Sequence, residues 1–369
     1  MLYLDNAATT PIAKEVLDEM IHSLSAYGNS EAKFYYAAEQ AKKNISHARN
    51  QVAASVGCED DEVIFTSGAT EANNLVLKGL ALSHPSKKKI IISSIEHSSI
   101  NSPCDYLSQK GYQIVRIPVN REGKIDLERL EEEIDDNTLL VSIIWVNNEV
   151  GTIQDIKKID DICFRKHVLF HSDATQAIGK VEINLSQYKA LKFLTFTAHK
   201  IYGPKGIGTL IIRKTDGCRT ELTPLFHGGE QENSYRAGTL SNELIVGFGK
   251  ACEMITSDIE GSNKKLKALE EDLIAKLKDK FGTRFILNND FKDRIPGLLN
   301  CQIIGFNNMI LLKKISPLIS ASTGSACSVS KPSHVLKAMG LKDSEISFSI
   351  RLSLSKYQKI EDLEVIDEL

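Results

Sequence analysis

Residues 139–172 read LLVSIIWVNNEVGTIQDIKKIDDICFRKHVLFHS. Two apolar runs, Leu139–Val146 and Val168–Ser172, have the length and the β-branched content of buried strands. Between them, Asp160–Lys166 (DDICFRK) reads as a helix. A strand, a helix and a second strand in succession is the unit from which parallel sheets are built. The same alternation extends outward on both sides. Upstream, Glu62–Thr66 (EVIFT) and Lys89–Ser93 (KIIIS) are strands, Ser98–Lys110 a helix, Gln113–Pro118 a strand and Asp126–Ile134 a helix. Downstream, Phe193–Thr197 and Ile207–Arg213 (IGTLIIR) are strands, and two helices, Lys14–Ser25 and residues 37–56, precede the whole series. The pattern predicts an α/β fold: a mostly parallel sheet covered by helices on both faces, with ligands bound beyond the strand ends.

The character changes near residue 250. Lys264–Lys280 (KKLKALEEDLIAKLKDK) is an amphipathic helix with Leu266, Leu269, Leu273, Ile274 and Leu277 on one face. It opens what reads as a smaller α+β domain. The expected division is a large domain over 13–250 and a small one built from 1–12 and 251–369, with the boundary in a helix at 245–260.

Composition narrows the function. The chain has 369 residues, with 45 Lys and Arg against 48 Asp and Glu, a net charge of −3. No global basic footprint for nucleic acid is present, and direct nucleic-acid binding is not expected. No apolar run reaches the length of a membrane span, and the start Met1-Leu2-Tyr3-Leu4-Asp5 has no signal-peptide character, so the expected location is cytoplasmic. Seven cysteines at wide spacing, without a C-x-x-C pair, indicate neither a zinc site nor a redox pair. No metal is expected.

Several segments beside strand ends carry reactive side chains. Ser67-Gly68-Ala69-Thr70-Glu71 joins a strand to a helix; it is either a phosphate seat or an ordinary helix cap. Asp173 follows strand VLFHS and could bond a protonated ring nitrogen or simply cap a turn. His97 follows strand KIIIS, as a satisfied polar group or a catalytic one. Lys200 ends Thr197-Ala198-His199-Lys200 after strand FLTFT, as a surface lysine or an amine nucleophile. Gly203-Pro204-Lys205-Gly206-Ile207-Gly208 precedes a strand rather than a helix, so it reads as a tight turn that fixes Lys200, not a dinucleotide motif. Taken together, a phosphate seat, a ring-stacking histidine, a ring-nitrogen aspartate and a Schiff-base lysine are the groups that pyridoxal 5′-phosphate requires.

At these residues the chain resembles the cysteine desulfurases of the class V aminotransferase family, of the iron–sulfur-cluster and nitrogen-fixation type. The resemblance runs from Tyr3-Leu4-Asp5-Asn6-Ala7-Ala8-Thr9-Thr10-Pro11 through Phe65–Glu71, Val146-Asn147-Asn148-Glu149 and Asp173-Ala174-Thr175-Gln176. It continues through Ala198-His199-Lys200-Ile201-Tyr202-Gly203-Pro204, His227-Gly228-Gly229 and Arg236-Ala237-Gly238-Thr239 to Gly324-Ser325-Ala326-Cys327. It implies fold type I of the pyridoxal-phosphate enzymes, with a seven-stranded sheet, and removal of sulfur from L-cysteine to give L-alanine.

The resemblance also implies roles. Lys200 holds the cofactor aldehyde and moves the α-proton. His97 stacks on the ring and relays protons as a catalytic residue, Asp173 bonds the ring nitrogen and Gln176 its phenolic oxygen. Ala69, Thr70, Thr197 and His199 hold the phosphate, and Thr239 reaches the phosphate in the partner subunit of a homodimer. Asn148 and Arg351, in Ser349-Ile350-Arg351-Leu352-Ser353, bind the substrate carboxylate. Cys327 is the nucleophile that takes the sulfur as a persulfide, and the small polar stretch Ser322–Ser330 (STGSACSVS) around it is expected to be mobile, to pass sulfur to an acceptor protein.

The chain departs from the housekeeping enzymes in several places. Thr197 and Ala198 stand where serine and glycine are usual, Glu230 replaces a third glycine after His227, and Pro332 follows Cys327 sooner. The chain also stops at Leu369, without the longer tail by which the housekeeping enzymes dock a cluster scaffold. These features point to a dedicated acceptor, in tRNA thiolation, cofactor sulfuration or DNA phosphorothioation, over iron–sulfur assembly. Selenocysteine lyase activity and a non-catalytic partner role on the same fold are the competing readings.

Overall fold

A computed structural model describes residues 1–324 and 332–368. The first strand, β1 (Leu2–Tyr3), belongs to the C-terminal part of the molecule. The next seven are β2 (Val63–Thr66), β3 (Lys89–Ser93), β4 (Gln113–Ile117), β5 (Thr138–Ser142), β6 (Leu169–Asp173), β7 (Leu191–Thr197) and β8 (Gly208–Ile212). They form one sheet in the order β2-β8-β7-β6-β5-β3-β4. Only β8 runs against the others. The mostly parallel α/β sheet expected from residues 139–172 and their surroundings is therefore present.

Side-chain alternation along the strands shows why helices must cover both faces. Ile91, Leu194 and Ile211 enter one apolar cluster with Ile45, Val52 and Phe248. Ile90, Ile92, Phe193, Leu210 and Ile212 enter another with Leu75, Leu80, Ile100 and Leu107. Successive residues point to opposite faces of a strand, so an all-apolar run buries both. The first face is closed by helices Lys14–Ser23, Tyr36–Ala54 and Asn242–Thr256, packed side by side.

The remaining strands are β9 (Phe285–Leu287), β10 (Leu298–Ile303), β11 (Ile319–Ser320) and β12 (Ser349–Ser353). Antiparallel β9, β10 and β12 form a small sheet, and β11 pairs with β1. Leu266, Leu269, Leu273 and Leu277 of helix Ile259–Phe281 are buried against Leu2, Leu4, Leu299 and Leu352. This is the apolar face read from 264–280.

One boundary differs instructively. The apolar run Leu139–Val146 is longer than β5, which ends at Ser142. Ile143 and Trp145 still donate backbone N–H groups to His171 and Asp173 of β6. On the other side, the Ile144 N–H turns from β3 to the Glu96 carboxylate, 2.8 Å away. The sheet ends there because a side chain replaces the neighbouring strand as acceptor. Among the described residues no helix is long and apolar enough to cross a membrane.

Candidate active site

The strand ends open onto a cleft of about 660 Å³. Its first wall is the turn after β2. Gly68, at φ 154°, caps helix Ala69–Asn74, which continues through a π turn to Ser83. Its first-turn N–H groups lack intrahelical acceptors and lie at the positive end of the helix dipole. β8 passes so close that a Cβ on Gly208 would lie 2.7 Å from the Gly68 Cα. Glu71 braces the turn: it accepts from the Ser67 N–H at 2.8 Å and from Arg236 Nε at 3.1 Å.

The floor comes from β6, β7 and the segment after β3. Asp173 is the last residue of β6 and is buried. Its carboxylate accepts from the neutral donors Asn73 Nδ2 (2.9 Å) and Thr175 N–H (2.9 Å). His97 caps helix Ser98–Ser108, its Nδ1 accepting from the Ser99 N–H. Burial lowers the His97 pKa, against the attraction of Asp173.

Lys200 lies in the tight connection from β7 to β8. The N-terminal Asn-Ala-Ala-Thr-Thr stretch explains itself here. Lys200 Nζ donates to the carbonyls of Ala7 (2.7 Å) and Ala8 (2.6 Å), and small residues let that backbone approach. Thr10 N–H and Oγ1 both donate to the His199 carbonyl. The Thr197 hydroxyl is spent on the Ile207 carbonyl. His199 Nδ1 lies 3.2 Å from Thr9 Oγ1, and burial, then Lys200 and Lys205, push the His199 pKa down to about 4.

Gln176 donates Nε2 to the Ala7 carbonyl and accepts Lys180 Nζ at 2.7 Å. Burial, with Lys200 and Arg351 nearby, lowers the Lys180 pKa to about 7.

The far wall belongs to the C-terminal part. Arg351 on β12 is 2% exposed, yet its guanidinium reaches the cleft. It donates to the carbonyls of Asn148 (2.8 Å) and Gly324 (3.3 Å), to Asp5 Oδ1 (2.7 Å) and to Ser322 Oγ (3.0 Å). Its Nε is buried without a partner. Glu149 accepts from Ser333 Oγ at 2.5 Å, and burial raises its pKa.

Ala69, Thr70, His97, Asn148, Asp173, Gln176, Thr197, His199, Lys200 and Arg351 all line this one cleft. Thr239 does not line it and is exposed. Cys327 lies outside the described residues, which reach Gly324 on one side and Pro332 on the other. Sequence reading missed Asn73, Lys180 and His334. Asn73 and Lys180 look like ordinary helix and surface residues until the fold buries their polar ends. His334 lines the cleft and donates Nε2 to the Glu96 carbonyl at 2.9 Å. Among the described residues no cluster of His, Cys, Asp and Glu suits a metal ion.

The chain is similar to known proteins over nearly its whole length. The family model described as Aminotransferase class-V matches residues 2–366. The cysteine desulfurase IscS of Rickettsia prowazekii is 38% identical over 98% of this chain and 88% of its own length. The mitochondrial cysteine desulfurase of Arabidopsis thaliana is 37% identical over 100% of this chain and 81% of its own. Among solved structures, a NifS-like protein superposes with a TM-score of 0.92 at 34% identity, covering 100% of this chain and 97% of its own. SspA in complex with cysteine gives 0.84 at 34%, over 97% and 100%. DndA from Streptomyces lividans gives 0.80 at 34%, over 95% and 99%.

Proposed function

The chain belongs to the class-V aminotransferase family and is a cysteine desulfurase dependent on pyridoxal 5′-phosphate, and we propose how its residues divide that work. The donor set fits the cofactor. A helix N-terminus, with a glycine cap whose Cβ would meet nothing nearer than 3.7 Å, suits a phosphate. A buried carboxylate whose two hydrogen bonds come from neutral donors suits a protonated ring nitrogen. Bound there, the cofactor supplies an aldehyde for the substrate amine and a ring that accepts electrons from the α-carbon.

Ala69, Thr70 and His199 hold the phosphate, joined by Thr197 once its hydroxyl turns from the Ile207 carbonyl, while Asp173 holds the ring nitrogen and Gln176 the phenolic oxygen. His97 covers the ring face. Lys200 Nζ holds the aldehyde and then takes the α-proton of L-cysteine. Asn148 and Arg351 orient the substrate carboxylate. Cys327 Sγ, as thiolate, attacks the substrate sulfur. An S–S bond forms as the C–S bond breaks, and the carbon fragment keeps the electron pair, takes a proton at Cβ, regains the α-proton from Lys200 and leaves as L-alanine. The persulfide on Cys327 then serves an acceptor protein.

We further assign a large domain over 13–250, a small one over 1–12 and 251–369, and a cytoplasmic homodimer in which Thr239 completes the partner's phosphate site. The exposure of Thr239 outside its own cleft supports that last assignment.

The gathering of Lys200, Asp173, His97 and Arg351 around one cleft carries this reading. Its test is alanine release from L-cysteine by the cofactor-loaded protein beside Cys327→Ser. The wild type should release alanine and gain one sulfur by mass, and the variant should bind cofactor and do neither. Equal alanine release by both would overturn the role of Cys327.

A further inference from the structure

Behind the cleft runs a chain of buried hydrogen bonds whose direction is dictated by one charge. An ionised carboxylate can only accept, so the Asn73 amide must turn its Nδ2 toward Asp173. The same Nδ2 donates to Ser99 Oγ at 2.8 Å. Asn73 Oδ1 accepts from Thr195 Oγ1 at 2.5 Å. The Thr195 hydroxyl has then spent its only proton, so His171 Nε2, 3.3 Å away, is the donor to it. Ser142 Oγ meets His171 Nδ1 at 2.8 Å. On the other branch, Ser99 Oγ lies 2.9 Å from His97 Nδ1, which already accepts the Ser99 N–H at 3.2 Å. A backbone N–H cannot accept, so Nδ1 carries a lone pair and the Ser99 hydroxyl also donates to it. Asn73, Ser142, His171 and Thr195 are wholly buried and Ser99 nearly so.

We infer that Asn73 and Ser99 are positioning residues that hold His97 neutral, with its proton on Nε2, so that His97 meets the bound substrate as a hydrogen-bond donor and not as a base. This rests on the placement of His97 and Asp173 in the desulfurase site given above. To act as a base at Nε2 the ring would need the other tautomer, which turns an N–H against the Ser99 N–H. Protonation at Nδ1 forfeits the same two bonds. Burial opposes protonation as well. Of the charged groups facing the ring, Asp173 favours the imidazolium, while Lys200, His334 and Arg351 oppose it.

The test is ¹⁵N NMR of the histidine-labelled holoenzyme, with His97→Gln to assign the signal. Wild type should show His97 protonated at Nε2 and unprotonated at Nδ1 through neutral pH. Loss of one neutral hydrogen bond in Ser99→Ala should make the ring about five-fold easier to protonate. It should also lower kcat several-fold without loss of bound cofactor, and Ser99→Thr should restore both. A proton on Nδ1 in the wild type, or an unchanged His97 titration in Ser99→Ala, overturns the inference. The tautomer is read without turnover. A protein that shows the Nε2 proton yet releases no alanine would therefore refute the desulfurase site and not the network.

Discussion

Replacing Lys180 by methionine separates a buried charge from the hydrogen bond it makes. Lys180 is half-buried and its ammonium donates to Gln176 Oε1, and burial, then the cations Lys200 and Arg351, lower its pKa to about 7. The folded-state pKa lies below that of an unfolded lysine. The unfolded chain therefore binds more protons across the window from about pH 7 to 10.5, and stability rises with pH through it. Integrated over that window, the native state carries a penalty of about 4 kcal/mol at pH 7, about 2 at pH 9 and about 1 at pH 10. Methionine keeps most of the stem and abolishes the penalty. It also strips Gln176 Oε1 of its donor, at a cost of about 1–3 kcal/mol that does not vary with pH. Lys180→Met should thus be more stable than wild type by about 1–3 kcal/mol at pH 7 and should lose about 2 kcal/mol of that advantage by pH 9. Urea unfolding followed by fluorescence of the single tryptophan, buried Trp145, reads both values. Stability differences that stay parallel from pH 7 to pH 9 would refute the buried charge, whatever the offset.

Two further substitutions test how the cleft is braced. Gly208→Ala places a methyl within 2.8 Å of Gly68 and Phe196 backbone atoms. Overpacking of this kind costs about 1–3 kcal/mol, so the cofactor should dissociate about five- to a hundred-fold more readily in an absorbance titration; unchanged affinity would separate the β8 contact from the phosphate seat. Glu232→Gln breaks a buried pair in which the carboxylate accepts both Arg49 terminal nitrogens and the Phe65 N–H. Removing one partner of such a pair costs about 3–5 kcal/mol, and calorimetry should show a thermal midpoint several degrees lower, where an unmoved midpoint would mean the pair contributes nothing net.

The cleft was only partly legible from the chain. Asp173, Lys200 and the Ser67–Glu71 turn stood out because each follows an apolar run, and a polar group at a strand end has few uses. Asn73 gave no such signal. It sits on a helix among Ala72 and Asn74, and only the approach of β6, β7 and helix Ser98–Ser108 makes it the junction of two branches. Lys180 gave no signal for the same reason. Arg351 was assigned to substrate from resemblance, while the structure shows its guanidinium already holding Asp5, Ser322 and two carbonyls.

The sequence by itself determined the sheet, its helical cover and the segments that meet at its edge. These follow from short-range patterning: apolar runs of strand length, helical spacing between them, and small or charged residues at the joins. Tertiary structure alone decided which donors face which acceptors. Ser67 and Glu71 are four residues apart, but Lys200 reaches Ala7, and Arg351 reaches Asp5, across most of the chain. Such pairings depend on strand order, which local spacing does not encode. With them came the tautomer of His97 and the depressed pKa of Lys180, because each arises from burial and from charges brought near only when the chain has folded.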